Sequence, residues 1–129
     1  MKMNPFVILE HREPGGHRHY DWLFALDSDP RDPDDRVLIH FRSQVVPDAV
    51  GVGESIDTEY GHRHRWRYLS YEGELADQRG NVRQVAAGGC AIDRLDTTAM
   101  GFTLELKSGL SRWEGRSLNG NLWRLQRLT

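Results

Sequence analysis

Hydrophobic positions along the chain fall in short runs with the spacing of extended backbone, and no stretch repeats with the period of a helix. Phe6-Val7-Ile8-Leu9-Glu10 follows Pro5, Tyr20 to Leu26 is rich in aromatics, and Val37-Leu38-Ile39-His40-Phe41 is bounded by acidic and proline-containing segments. Tyr68 to Tyr71, Val82 to Ala86, Ala91 to Leu95, Phe102 to Leu106 and Leu122 to Leu128 bring the set to eight. Each holds β-branched or aromatic residues and is cut off from the next by Gly, Asn, Asp or Pro. Phe102, Leu104 and Leu106 share one face of their run. Arg79-Gly80-Asn81, Gly88-Gly89, Lys107-Ser108-Gly109 and Asn119-Gly120-Asn121 supply residues that accept positive φ cheaply, so they read as turns. The expectation is an all-β domain over residues 1–129: a single antiparallel β-barrel of about eight strands with long loops.

Two segments interrupt the pattern. Asp27 to Arg36 has two prolines, five aspartates and no apolar residue, and reads as a solvated loop. Val45 to Tyr60 is longer and Gly-rich, and reads as a flap over one end of the barrel.

Composition narrows the class. A chain of 129 residues has room for one core. Hydrophobic residues make up 38% and mean hydropathy is −0.65, a globular balance rather than a disordered one. No run approaches the roughly 20 apolar residues that cross a bilayer, so no membrane role is expected. Met1-Lys2-Met3-Asn4-Pro5 leads into the first run without a small-residue cleavage site, so no secretory leader is expected either. A lone Cys90 excludes an intrachain disulfide framework and, with the missing leader, points to the cytoplasm. Net charge is −2, which argues against non-specific binding along nucleic acid while leaving room for a local basic patch.

Candidate chemistry lies in the histidines. Of six, His11, His17 and His19 fall in one short segment and His62 and His64 in another, with His40 isolated. His19 and Asp21 are two apart, so on an extended chain imidazole and carboxylate leave the same face, and the Pro14-Gly15-Gly16 turn can bring His11 beside them. Such donors suit manganese, zinc, iron or nickel. On an extended segment His64, Trp66 and Tyr68 also share a face, so an imidazole and a phenol can both reach a phosphate held by the metal. The competing reading is plain: histidines among arginines are commonly surface residues, arginines at alternate positions form a solvated face, and the tryptophans and Cys90 belong to the core.

Taken in order, Phe6 to His11, His19-Tyr20-Asp21, His64 with Tyr68, Glu72-Gly73, Arg79-Gly80-Asn81-Val82 and Asn119 to Leu125 resemble the 3′-phosphoesterase module of bacterial ligase D, which also occurs in small free-standing proteins. The resemblance implies an eight-stranded barrel that uses manganese to remove a 3′-terminal ribonucleotide or phosphate from a primer end during break repair, with a ligase or polymerase as possible partner. It implies that His11, His19 and Asp21 bind the metal, with His17 a spare ligand, and that His64 and Tyr68 contact the scissile phosphate.

The chain departs from the family in three respects. Seven residues separate His11 from His19 where the family has five, and the family's W-x-V-P-K-G segment has no counterpart. Leu23 stands where the family carries a phosphate-binding arginine, a contact that an isobutyl group cannot make. Arg12, Arg18 and Arg42 are the candidates to replace it. The alternative to an enzyme is a non-catalytic barrel with a decayed site that binds nucleic-acid ends or a protein partner.

Overall fold

A run such as Phe6-Val7-Ile8-Leu9, apolar at every position, does not suit a strand with one wet face; it calls for burial on both sides. The fold supplies two cores. The computed structural model describes all 129 residues. Its strands are β1 (Asn4–Arg12), β2 (Arg18–Phe24), β3 (Arg36–Ser43), β4 (Ser55–Tyr60), β5 (His64–Arg65), β6 (Gly73–Glu74), β7 (Asn81–Leu95), β8 (Ala99–Leu106), β9 (Gly109–Asn119) and β10 (Leu122–Arg127). Eight run antiparallel in the order β1-β2-β3-β4-β10-β9-β8-β7, and β7 pairs back onto β1 to close a barrel. The two-residue strands β5 and β6 are added to β3 and β7. No helix is long and apolar enough to cross a membrane.

The main core fills the barrel with Phe6, Ile8, Trp22, Phe24, Ile39, Phe41, Phe102, Trp113 and Leu125. Trp22 meets Trp113 edge-on at 5.5 Å, and both indole N–H groups are satisfied, one by the Val45 carbonyl and one by the Ser111 hydroxyl. Alternate residues of β1, β2 and β3 (Val7, Leu9, Leu23 and Leu38), with Ala25 just past the end of β2, form a second core on the outer wall. It is covered by the excursion from Gly61 to Gly80, through Trp66, Tyr68, Leu69, Tyr71 and Leu75. Between the outer wall of β1–β3 and the excursion lies a cleft.

The barrel matches the expected class, but its membership differs. Tyr68 to Tyr71 is not a strand: Trp66–Leu69 is a 3₁₀ turn, tied down by Trp66 N–H to the Asp35 carbonyl (2.8 Å) and Arg67 N–H to that of Pro33 (3.0 Å). Gly88-Gly89 is not a turn, and the runs on either side of it form the single strand β7. These glycines serve close approach, since a Cβ on Gly88 would lie 2.0 Å from the Glu105 carbonyl oxygen. Two barrel strands escaped the hydrophobic pattern. In β9 the inward positions are Ser111, Trp113 and Gly115, small enough at two of three to hide the alternation. In β4 they are Ile56, Thr58 and Tyr60, so the second half of the expected flap is barrel wall. The Lys107-Ser108-Gly109 and Asn119-Gly120-Asn121 turns join β8 to β9 and β9 to β10.

Candidate metal centre

The register of three neighbouring strands assembles the site. His11 pairs with His19, Leu9 with Asp21, Asp21 with Arg42, and Leu23 with His40. On the outer face this brings His11 (β1), His19 and Asp21 (β2) and His40 (β3) together at the end of the second core. The excursion adds His64, which pairs with Leu38, and Tyr68. These six residues line a cleft of about 650 Å³.

His11 Nδ1 lies 3.1 Å from His19 Nε2, His19 Nε2 lies 3.1 Å from Asp21 Oδ1, and His11 Nδ1 lies 3.9 Å from Asp21 Oδ2. The outward nitrogens are committed elsewhere. His11 Nε2–H donates to the Arg79 carbonyl at 2.8 Å, which leaves Nδ1 as a lone pair directed inward. His19 Nδ1 faces the Glu13 carboxylate at 3.5 Å. Outer-sphere acceptors of this kind fix the tautomer that presents a lone pair to a metal. Two ring nitrogens and a carboxylate facing one another need either an N–H on His19 Nε2 or a cation among them. His11, His19 and Asp21 therefore form a group able to hold a metal ion.

Asp21, His40 and His64 form a second such group by distance. The hydrogen-bond pattern fits it less well. His40 Nε2–H donates to Asp21 Oδ1 at 2.7 Å, so that nitrogen offers no lone pair toward the carboxylate. Its Nδ1 is buried without a partner and is covered by Gly61, where a Cβ would sit 2.4 Å away. His40 is thus best read as orienting Asp21. Burial alone would raise the Asp21 carboxyl, but the hydrogen bonds from His19 and His40 prevail and hold it well below the usual range.

His64 packs against His40 with ring centroids 4.0 Å apart and planes tilted by 36°, and the Tyr68 ring lies 5.9 Å from His64. His64 Nδ1–H donates to the His62 carbonyl at 3.1 Å, leaving Nε2 free of protein partners. Burial, reinforced by the neighbouring His40 charge, pushes this imidazole down to about 4. It is neutral at physiological pH. The expected extended strand from His64 to Tyr68 is absent, yet the 3₁₀ turn brings the two rings together by winding rather than by alternation.

The other candidate residues are dispersed. Arg42 lines the cleft beside Asp21. Arg12 and Arg18 sit on the opposite face of the sheet, where with Arg83 they surround Glu10 at 2.7, 3.8 and 3.6 Å. His17 is exposed in the β1–β2 turn, away from the cleft. Leu23 is fully buried in the second core. Sequence reasoning missed His40, whose only signal was its position: it alternates with Leu38 and Arg42 on β3, in a run otherwise apolar. The sequence matches no family model, and no curated protein sequence matches it.

Proposed function

We propose that this protein is a metal-dependent phosphoesterase acting on the 3′ ends of nucleic acid, removing a terminal ribonucleotide or phosphate during repair. The observation that carries the reading is the convergence of His11 Nδ1, His19 Nε2 and the Asp21 carboxylate, with the outward nitrogens held by Arg79 and Glu13. Two imidazoles and one carboxylate suit manganese, with zinc or iron as competitors. A divalent ion there would polarise a phosphoryl group and offset its charge. The chain's own residues do the rest. His64 would take up a proton at Nε2 with the anion and donate it to a phosphoryl oxygen, the Tyr68 hydroxyl orients a second oxygen, and Arg42 lies in the same cleft to offset negative charge.

The test is release of phosphate or nucleoside from a primer ending in a 3′-phosphate or a ribonucleotide, with manganese supplied. His19→Ala is expected to abolish it, and undiminished activity in that variant would remove the assigned centre. Leu23 favours a second reading, a barrel that binds nucleic-acid ends without turnover, because an apolar core occupies the arginine's position. Stoichiometric metal binding with no turnover on any phosphoester would select that reading.

A further inference from the structure

The arginines of this protein divide into two groups. Arg12, Arg18 and Arg83 share Glu10, Arg31 pairs with Asp27, Arg67 with Asp34, Arg94 with Asp96, Arg112 with Asp93 and Arg124 with Asp57. The other seven take part in no ion pair: Arg36, Arg42, Arg65 and Arg79 line the cleft, and Arg63, Arg116 and Arg127 lie outside it. Arg36 and Arg65 are the most unusual of these, because they are direct cross-strand partners on β3 and β5. Like charges set opposite each other destabilise a strand pair. An aspartate-rich loop runs directly into Arg36, yet none of its carboxylates neutralises either guanidinium. A bulge sets Arg36 to Leu38 against Arg65 and His64, and the consecutive residues His64 and Arg65 both line the cleft. Arg36 is close enough for its charge to be felt at His64.

We propose that Arg36 and Arg65 form a second phosphate site, which binds an internal phosphodiester of a nucleic-acid strand whose 3′ end lies at the His11–His19–Asp21 centre. The inference rests on the phosphoesterase reading and specifies its substrate as a strand rather than a mononucleotide. Along β3 the order His40, Leu38 (opposite His64) and Arg36 (opposite Arg65) sets the arginine pair beyond His64 from the metal-binding group, with Arg36 about 13 Å of extended chain from His40. A polynucleotide presents anionic groups at regular intervals. Paired guanidinium forks match phosphate oxygens, and their mutual repulsion is relieved when the anion binds.

Two measurements on the full chain test this. Kinetics with manganese compare a 3′-phosphorylated oligonucleotide with a nucleoside 3′-monophosphate. Arg36→Gln and Arg65→Gln should each lower kcat/KM on the oligonucleotide about tenfold and leave the mononucleotide unchanged, with partial rescue by lysine. Equal losses on both substrates would overturn the proposal. Binding of a fluorescent oligonucleotide without metal gives a readout that needs no turnover. The double variant should bind more weakly, with a log–log salt slope shallower by about 0.7, the value for one phosphate on a single strand. Wild-type affinity and slope in the double variant would overturn it. A nucleoside 3′,5′-bisphosphate should compete at least tenfold more weakly than the oligonucleotide, and equal affinity would exclude a strand as the ligand. Arginine-dependent oligonucleotide binding with no turnover on any phosphoester would retire the phosphoesterase reading and keep the strand site.

Discussion

His40 Nε2 donates to Asp21 Oδ1 at 2.7 Å, and this hydrogen bond links the one histidine outside the sequence clusters to the carboxylate at the middle of the centre. Without it, Asp21 keeps its burial cost and loses a partner that holds it ionised and oriented. His40→Ala is expected to weaken manganese binding about 10–100-fold, the usual cost of removing an outer-sphere partner. Gly61→Ala should act in the same direction, because its Cβ would meet His40 Nδ1 at 2.4 Å and push the ring off Asp21. Calorimetric titration reads both. Wild-type affinity in both variants would show that His40 does not orient the carboxylate.

Leu23 stands where the phosphoesterase modules that the chain resembles carry an arginine. The side chain is fully buried among Val7, Leu9, Leu38 and Trp66. Leu23→Ala should cost about 2–5 kcal/mol by opening a cavity. Leu23→Arg should cost about 3–5 kcal/mol or more by burying an unpaired charge, and should not raise activity. Urea unfolding measures the first effect and the primer assay the second. A stable and more active Leu23→Arg variant would mean that the excursion opens readily over β2.

The all-β class was legible in the sequence because β1, β2 and β3 each carry consecutive apolar residues (Phe6 to Leu9, Trp22 to Phe24 and Val37 to Ile39), and two-sided burial leaves just that mark. The grouping of His19 with Asp21 was legible for a related reason: a period of two fixes them on one face wherever the strand goes. What stayed hidden depends on contacts made through space. Nothing local marks His40 as Asp21's partner until β2 and β3 are in register. Gly88-Gly89 resembles a turn because glycine serves tight approach as readily as tight bending. Ser111 and Gly115 conceal β9 because Leu125 and Trp123 fill the space that larger side chains would have claimed.

Glu10 gathers Arg12, Arg18 and Arg83 on the face of β1 opposite the cleft. The Arg12 hydrogen bond, with the charges of Arg83 and Arg18, outweighs burial and holds its carboxyl below the usual value of 4.5. A carboxyl depressed in the folded state contributes stability that is complete above the unfolded value and is lost as pH falls through the folded one. Glu10→Gln should therefore lower stability at neutral pH and flatten its decline in acid, with manganese affinity unchanged. Denaturant titrations across the acid range check this. A loss of metal affinity would mean that the two faces of β1 are coupled.

Cys90 is buried in the barrel core, and burial pushes its thiol up to about 12. In the native protein it should resist a disulfide reagent in mildly alkaline buffer and react once unfolded in guanidinium. Because the folded value is raised, stability should fall as pH rises above about 9, where the unfolded thiol ionises. Cys90→Ala should weaken that decline. Rapid labelling of the native thiol would show that the barrel opens near β7.

The most direct measurement is an anomalous difference map from crystals grown with manganese. A single peak within about 2.0–2.3 Å of His11 Nδ1, His19 Nε2 and an Asp21 carboxylate oxygen is the predicted result, with His40 still hydrogen-bonded to Asp21. A peak elsewhere, or three empty ligands with a proton shared among them at saturating manganese, would contradict the metal centre on which the functional account stands.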